Sequence, residues 1–118
     1  MDLVELGEFS ASVLRRASVA RGVFTDRELA TCARGPRRHE RLAARFAAKE
    51  AAFKAVGTGW GNGVTWHDAE VVSGARGEPT LVVRGALLRY ARARGGTRFH
   101  VSLTHSGGFA GAFVVLAR

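Results

Sequence analysis

LAARFAAKEAAFKAVGTG, residues 42–59, is the stretch whose reading decides the fold. It has no proline, no glycine before Gly57, and an abundance of alanine, the strongest helix former. At about 100° of turn per residue, Leu42, Phe46, Phe53 and Val56 fall on one apolar stripe. Lys49 stands in the middle of that stripe, with Glu50 and Lys54 on its margin one turn apart. A lysine among core anchors either lies beneath a shallow face or reaches into a polar pocket. Ala43 and Ala47 leave room beside Glu50. An acid, two lysines and cleared space on one helix point to a site for a metal and a phosphorylated ligand. A solvated Glu50–Lys54 pair, worth roughly a few tenths of a kcal/mol, accounts for the same spacing. The rest of the chain has to decide.

Ahead of this helix, MDLVEL (1–6) reads as the end of a strand carrying Asp2. From Ser10 the pattern turns helical, with Phe9, Val13, Ala17 and Ala20 on one face and Gly22 as a stop. Arg15, Arg16 and Arg21 lie off that face, either as a solvated surface or as a docking surface for an acidic partner. Thr25-Asp26-Arg27-Glu28 is a capping box, with Phe24 placed to staple onto Leu29, and it predicts a short helix to about Ala33. A basic loop, residues 34–38, leads into the long helix.

Beyond it, GTGWGNG (57–63) lacks the spacing and the lysine-serine ending of a phosphate-binding loop, and serves equally as a connection into a strand. VTWHDAEVVS and TLVVR read as hairpin strands around the turn GARGEP. Residues 86–94 form a short helix closed by Gly95-Gly96. RFHVSLTHSGGFAGAFVVLA (98–117) gives two strands joined at His105-Ser106-Gly107-Gly108. Helices early and hairpins late predict an α+β fold, an antiparallel sheet packed with the long helix, in one domain spanning 1–118.

Composition excludes several function classes. The chain is 47% hydrophobic and 24% charged, as a globular domain is, and no apolar run is long enough to cross a bilayer. Its first residues do not read as a signal peptide, and a cytoplasmic location is expected. A single cysteine, Cys32, allows neither an internal disulfide nor a cysteine zinc site, and it has no local base to make it a nucleophile. Eighteen basic against ten acidic residues leave +8, which favours a polyanionic partner such as nucleic acid, a phosphorylated cofactor or an acidic protein. Aromatic residues are not interleaved with the basic ones, and no nucleic-acid motif is present. The four histidines are too scattered for a paired metal motif, and His100 reads as structural. His105 stands at a strand end between the hydroxyls of Thr104 and Ser106, with two glycines behind, where a phosphate can be received.

RFAAKEAAFKAVGTG resembles the signature of the holo-[acyl-carrier-protein] synthases, the small class of 4′-phosphopantetheinyl transferases. MDLVEL, FTDREL, VTWHDAEVV and FHVSLTHSGGFAGAFVV resemble further blocks of that family in the right order, so the resemblance covers nearly the whole chain. It implies transfer of phosphopantetheine from coenzyme A to a serine of an apo acyl carrier protein in fatty-acid or polyketide synthesis, with release of 3′,5′-ADP. Such chemistry needs positioning and charge neutralisation more than covalent catalysis. By family position Asp2 and Glu50 would hold Mg2+. In larger relatives a further acid stands two residues after the aspartate; here that place is Val4, and a water would complete the shell. Lys54 would neutralise the pyrophosphate, Lys49 would either support the same site or hold a buried structural place, and Glu50 or a metal-bound water would be the base. Thr104, His105 and Ser106, with Arg45, would contact the nucleotide end and its 3′-phosphate. Arg15, Arg16 and Arg21 would dock the acidic carrier protein. The family forms homotrimers with active sites between subunits. Its members carry several residues, in a Gly-x-x-Asp pattern, before the aspartate; only Met1 precedes Asp2 here, so the expectation is either a start that lies upstream or a shortened N-terminal strand. That shortening motivates one alternative, a catalytically weak relative that still binds coenzyme A or the carrier. The charge alone motivates another, a small basic nucleic-acid-binding protein.

Overall fold

The computed structural model describes residues 1–34, 36–58, 62–96 and 98–118. Its centre is the long helix, α4 (Arg38–Val56), which begins a turn earlier than the apolar stripe predicts. It ends where Gly57, at φ +80°, takes the left-handed conformation that closes helices, its N–H donating to the Phe53 carbonyl. The helix is buried on more than the expected stripe. Leu42, Phe53 and Val56 are inside, and so are Ala43, Ala44, Ala47, Ala48, Ala51 and Ala52. Small side chains let neighbouring backbone approach, and Ala110 and Ala112 on the facing strand are buried as well.

That strand, β5 (Phe109–Ala117), is the middle of a three-stranded antiparallel sheet in the order β1-β5-β4, with β1 at Asp2–Glu5 and β4 at Arg98–Ser106. The register pairs Asp2 with Ala112 and Val4 with Ala110, so Asp2 and Val4 both face α4. The β4–β5 turn is tighter than its sequence suggests. His105 and Ser106 remain in the strand, and only Gly107 and Gly108 turn, both with positive φ as a two-residue hairpin loop requires.

Between β1 and α4, the single helix expected from Ser10 is instead three pieces: α1 (Leu6–Phe9), a π-helical turn (Ser10–Leu14) and α2 (Ala17–Val23). Arg16 adopts an extended conformation between them, which leaves Ala17 exposed, while Phe9, Val13 and Ala20 stay inside. Gly22 lies within α2, and Phe24 ends it. The capping box opens α3 (Asp26–Ala33) as expected. VTWHDAEVVS is strand only in its second half. Thr65 and Asp68 cap a 3-10 turn over Trp66–Asp68, and β2 (Ala69–Ser73) then pairs with β3 (Pro79–Val83) in a separate two-stranded sheet. Helix α5 (Gly85–Ala93) follows. The middle of the glycine-rich stretch, residues 59–61, lies outside the described residues. Aromatic contacts knit the layers: Phe9 on Phe46 at 5.3 Å, and Phe46 and Phe53 on Trp66 at 5.0 and 5.5 Å. No described helix is long and apolar enough to cross a membrane.

Candidate active site

Helix α4 straddles the three-stranded sheet, and its two flanks carry different chemistry. On the β1 flank, the register turns Asp2 inward, and the Lys54 ammonium donates to its Oδ1. Asp2 is only 8% exposed, and its Oδ2 is buried with no hydrogen-bond partner among the described residues. Glu50, one turn before Lys54, is half-buried; burial, then the negative charge of Asp2, pushes its carboxyl above the usual range, against the pull of Lys54. Lys54 is mostly exposed and is held above the ordinary lysine range, first by its bond to Asp2 and then by the charge of Asp2.

Asp2 thus holds the ammonium, Glu50 stands within reach of both charges, and one buried Asp2 oxygen has no partner among the described residues. That set fits a hard divalent cation. No cluster of three His, Cys, Asp or Glu occurs among the described residues, so such an ion would keep water or ligand oxygens in its shell. Val4, two residues after Asp2, faces the core and leaves no third acid there. A cavity of about 210 Å³ opens beside Glu50, walled by Val4, Phe9, Phe46, Glu8 and Ser12. Glu5 is committed elsewhere, accepting from the Gly7 and Glu8 N–H groups to cap α1.

On the β4 flank, Arg45 is 5% exposed, donates to Ser73 Oγ at 2.9 Å and to the Arg41 carbonyl at 3.2 Å, and keeps an unpartnered Nε. It lines a cavity of about 470 Å³ with Arg41, Thr31, Pro79, Ser102 and Leu103. His105, farther along β4, has its Nδ1 3.0 Å from Glu40 Oε2 at the start of α4. Thr104 and Ser106 are exposed on either side of it.

The model of the 4′-phosphopantetheinyl transferase superfamily matches residues 1–114. The chain belongs to that superfamily. It is 43% identical to a holo-[acyl-carrier-protein] synthase of Salinispora arenicola over 118 residues, covering 100% of this chain and 95% of the relative. Among solved structures it resembles the holo-[acyl-carrier-protein] synthase of Neisseria meningitidis, with TM-score 0.84, 30% identity, and 99% and 94% of the two chains covered. It also resembles the ACPS–CoA complex of Chronobacterium ammoniagenes, with TM-score 0.81, 28% identity, and 99% and 95% covered.

Within this transferase chain, the expected site residues separate into groups. Asp2, Glu50 and Lys54 come together; Arg45 and His105 lie on the other flank of α4, while Thr104 and Ser106, alternating with His105 along β4, face the opposite side of the sheet. Lys49 joins neither: of its two expected places, beside the phosphorylated ligand or buried in the structure, it takes the second. Its ammonium is fully buried, 2.7 Å from Glu28 Oε1, and it donates to the carbonyls of Ala69 at 2.5 Å and Trp66 at 3.2 Å. All three donors are spent on the protein's own interior. Burial pulls Lys49 below the ordinary lysine range, opposed by the charge of Glu28. The sequence pattern leaves Lys49 either beneath a shallow face or in a polar pocket and names no partner, because Glu28 is already accounted for as a capping-box residue. Glu28 in fact does both, since Oε1 also accepts from the Thr25 N–H and Oε2 from the Val71 N–H. Glu70 had no sequence signal at all; it gathers Thr25, Arg27 and Arg84 around one buried carboxylate. Arg15, Arg16 and Arg21 are exposed, as a docking face requires. His100 stands on the exposed outer face of β4, opposite Val115. Cys32 is buried, and burial raises its thiol, so it offers no nucleophile.

Proposed function

We propose that this chain is a holo-[acyl-carrier-protein] synthase that transfers 4′-phosphopantetheine from coenzyme A to a serine of an apo acyl carrier protein. The observation that carries the reading is the Asp2–Glu50–Lys54 group, with the orphaned Asp2 oxygen, in a chain 43% identical to a synthase of that name. The serine oxygen forms a bond to the β-phosphorus, the bond from that phosphorus to the departing 3′,5′-ADP oxygen breaks, and the serine proton passes to Glu50. Lys54, exposed at the mouth of the group, lies against the pyrophosphate and takes up the charge that grows on the leaving oxygen. Asp2 and Glu50 would hold Mg2+, which would supply neutralisation of the pyrophosphate charge.

The Arg45 cavity and the His105 strand end receive the nucleotide end, Arg45 lining the cavity with its charge and His105 turning its second ring nitrogen to phosphate oxygens. These groups lie across the sheet from Asp2, which supports sites assembled between subunits of a homotrimer. The outer sheet face supports the same assembly: Leu3, Phe113 and Val115 are 63%, 57% and 55% exposed, and Phe109 adds to them. Arg15, Arg16 and Arg21 dock the acidic carrier, in the cytoplasm, with residues 1–118 acting as one transferase domain.

The test is the intact mass of an apo carrier protein after incubation with this chain, coenzyme A and Mg2+. A gain of one phosphopantetheine group, abolished by chelator, is expected. No gain on carriers of either fatty-acid or polyketide type would overturn the reading.

A further inference from the structure

We propose that Glu40 is a positioning residue, fixing the His105 ring so that Nε2 meets the 3′-phosphate of coenzyme A. This rests on the reading that His105 serves the nucleotide end.

His105 is the penultimate residue of β4, just before the Gly107–Gly108 turn, and its side chain is 37% exposed. Packing alone therefore leaves the imidazole free to flip. Glu40 Oε2 stands 3.0 Å from Nδ1. A carboxylate oxygen at that distance is repelled by a ring lone pair and attracted by an N–H, so the proton sits on Nδ1. The other nitrogen, Nε2, then points away from Glu40 and is the one left for a ligand. With both nitrogens protonated, the ring bridges two anions, Glu40 on one side and a phosphate on the other.

The start of α4 is built to hold Glu40 still. His39 Nδ1 lies 3.2 Å from Ser10 Oγ in the π-helical turn, and Arg41 donates to the Arg34 and Thr31 carbonyls of the α3 end at 2.7 and 3.1 Å. Three consecutive side chains thus tie the helix start to three different neighbours, and Glu40 is the tie to β4. Stability does not explain that tie, because pairs as exposed as this one contribute little. A fixed ring orientation does.

The test compares Glu40→Ala, Glu40→Gln, His105→Ala and the Glu40→Ala/His105→Ala double variant, with coenzyme A and with 3′-dephospho-coenzyme A. Glu40→Ala is expected to raise KM for coenzyme A about tenfold with kcat within about twofold, the size of one lost charge-assisted contact. Glu40→Gln, which keeps an acceptor, recovers most of this. The double variant is no worse than His105→Ala, and with the dephospho substrate the effect of Glu40→Ala vanishes. An unchanged KM, an equal loss on both substrates, or multiplying effects in the double variant would each overturn the proposal. His105→Ala without effect on KM would overturn the reading of His105 as a phosphate contact. The nitrogen NMR signature of His105, measured without substrate, separates the two failures. Loss of the Nδ1-protonated form in Glu40→Ala upholds the Glu40–His105 coupling, and an unchanged signature overturns it.

Discussion

Lys49 and Lys54 leave the same helix less than two turns apart, each facing a carboxylate from another part of the chain. Around Lys49 everything is closed: the ammonium and Glu28 are both fully buried, and each spends its remaining capacity on backbone groups of neighbouring segments. Around Lys54 the site is open. The ammonium is mostly exposed, and among the described residues Asp2 keeps one oxygen unpartnered and Glu50 stands beside both with no hydrogen-bond donor of its own. A buried pair with every donor used can only hold the structure together. A pair at an edge, with a spare carboxylate oxygen, can still take a cation and a ligand.

Exchanging the two behaviours breaks that contrast most directly at Glu50. Glu50→Gln is expected to lower transfer a thousandfold or more, about 4 kcal/mol of barrier, with an unchanged urea midpoint. Near wild-type transfer, read as carrier mass gained per minute, would move the catalytic role away from this residue. Next in size is Lys49→Met, which strands the buried Glu28 carboxylate and is expected to cost about 3–5 kcal/mol of folding stability in urea titration. Adding Glu28→Leu should recover part of that loss. A Lys49→Met protein of full stability but raised KM for coenzyme A would return Lys49 to the ligand site.

Lys54→Ala sharpens the other half of the contrast. It should reduce turnover about a hundredfold, the range of a lost transition-state contact, with a smaller loss of folding stability as the buried Asp2 loses its partner. A variant that loses stability instead of turnover would make Lys54 a second Lys49. The smallest effect belongs to Glu70. Burial alone would raise its carboxyl, but hydrogen bonds from Thr25, Arg84 and Arg27 hold it down at about 2. A carboxylate with a depressed folded-state pKa stabilises the fold above its unfolded value, near 4.5, and loses that contribution as pH falls toward 2. Glu70→Gln should therefore cost about 2 kcal/mol near neutral pH, with the variant and wild-type stability curves drawing together from about pH 4.5 down to about pH 2. Parallel curves through that window would remove Glu70 as the cause.

The elements that could be read from sequence are those whose signals are local. The Thr25–Glu28 capping box, the alanine-rich helix closed by Gly57, and the Gly107–Gly108 turn each depend on backbone preferences within a few residues. The segment from Ser10 to Val23 misled for the same reason. Its apolar spacing is that of one helix, but burial of Phe9 and Val13 with Ala20 is achieved by a π-turn and a break at Arg16, and no local preference announces either.

The sequence by itself determined the α+β order of elements, the long helix, and the presence on it of Glu50 and Lys54, with Asp2 in a strand segment ahead of the helices. Periodicity and capping are properties of neighbours along the chain. Only the tertiary structure decided which charge answers which. It took the β1–β5 register to bring Asp2 to Lys54, and the docking of α3 and β2 to close Glu28 over Lys49. Ion pairing depends on distance and burial in space, and residues far apart in sequence acquire both only when the core has formed.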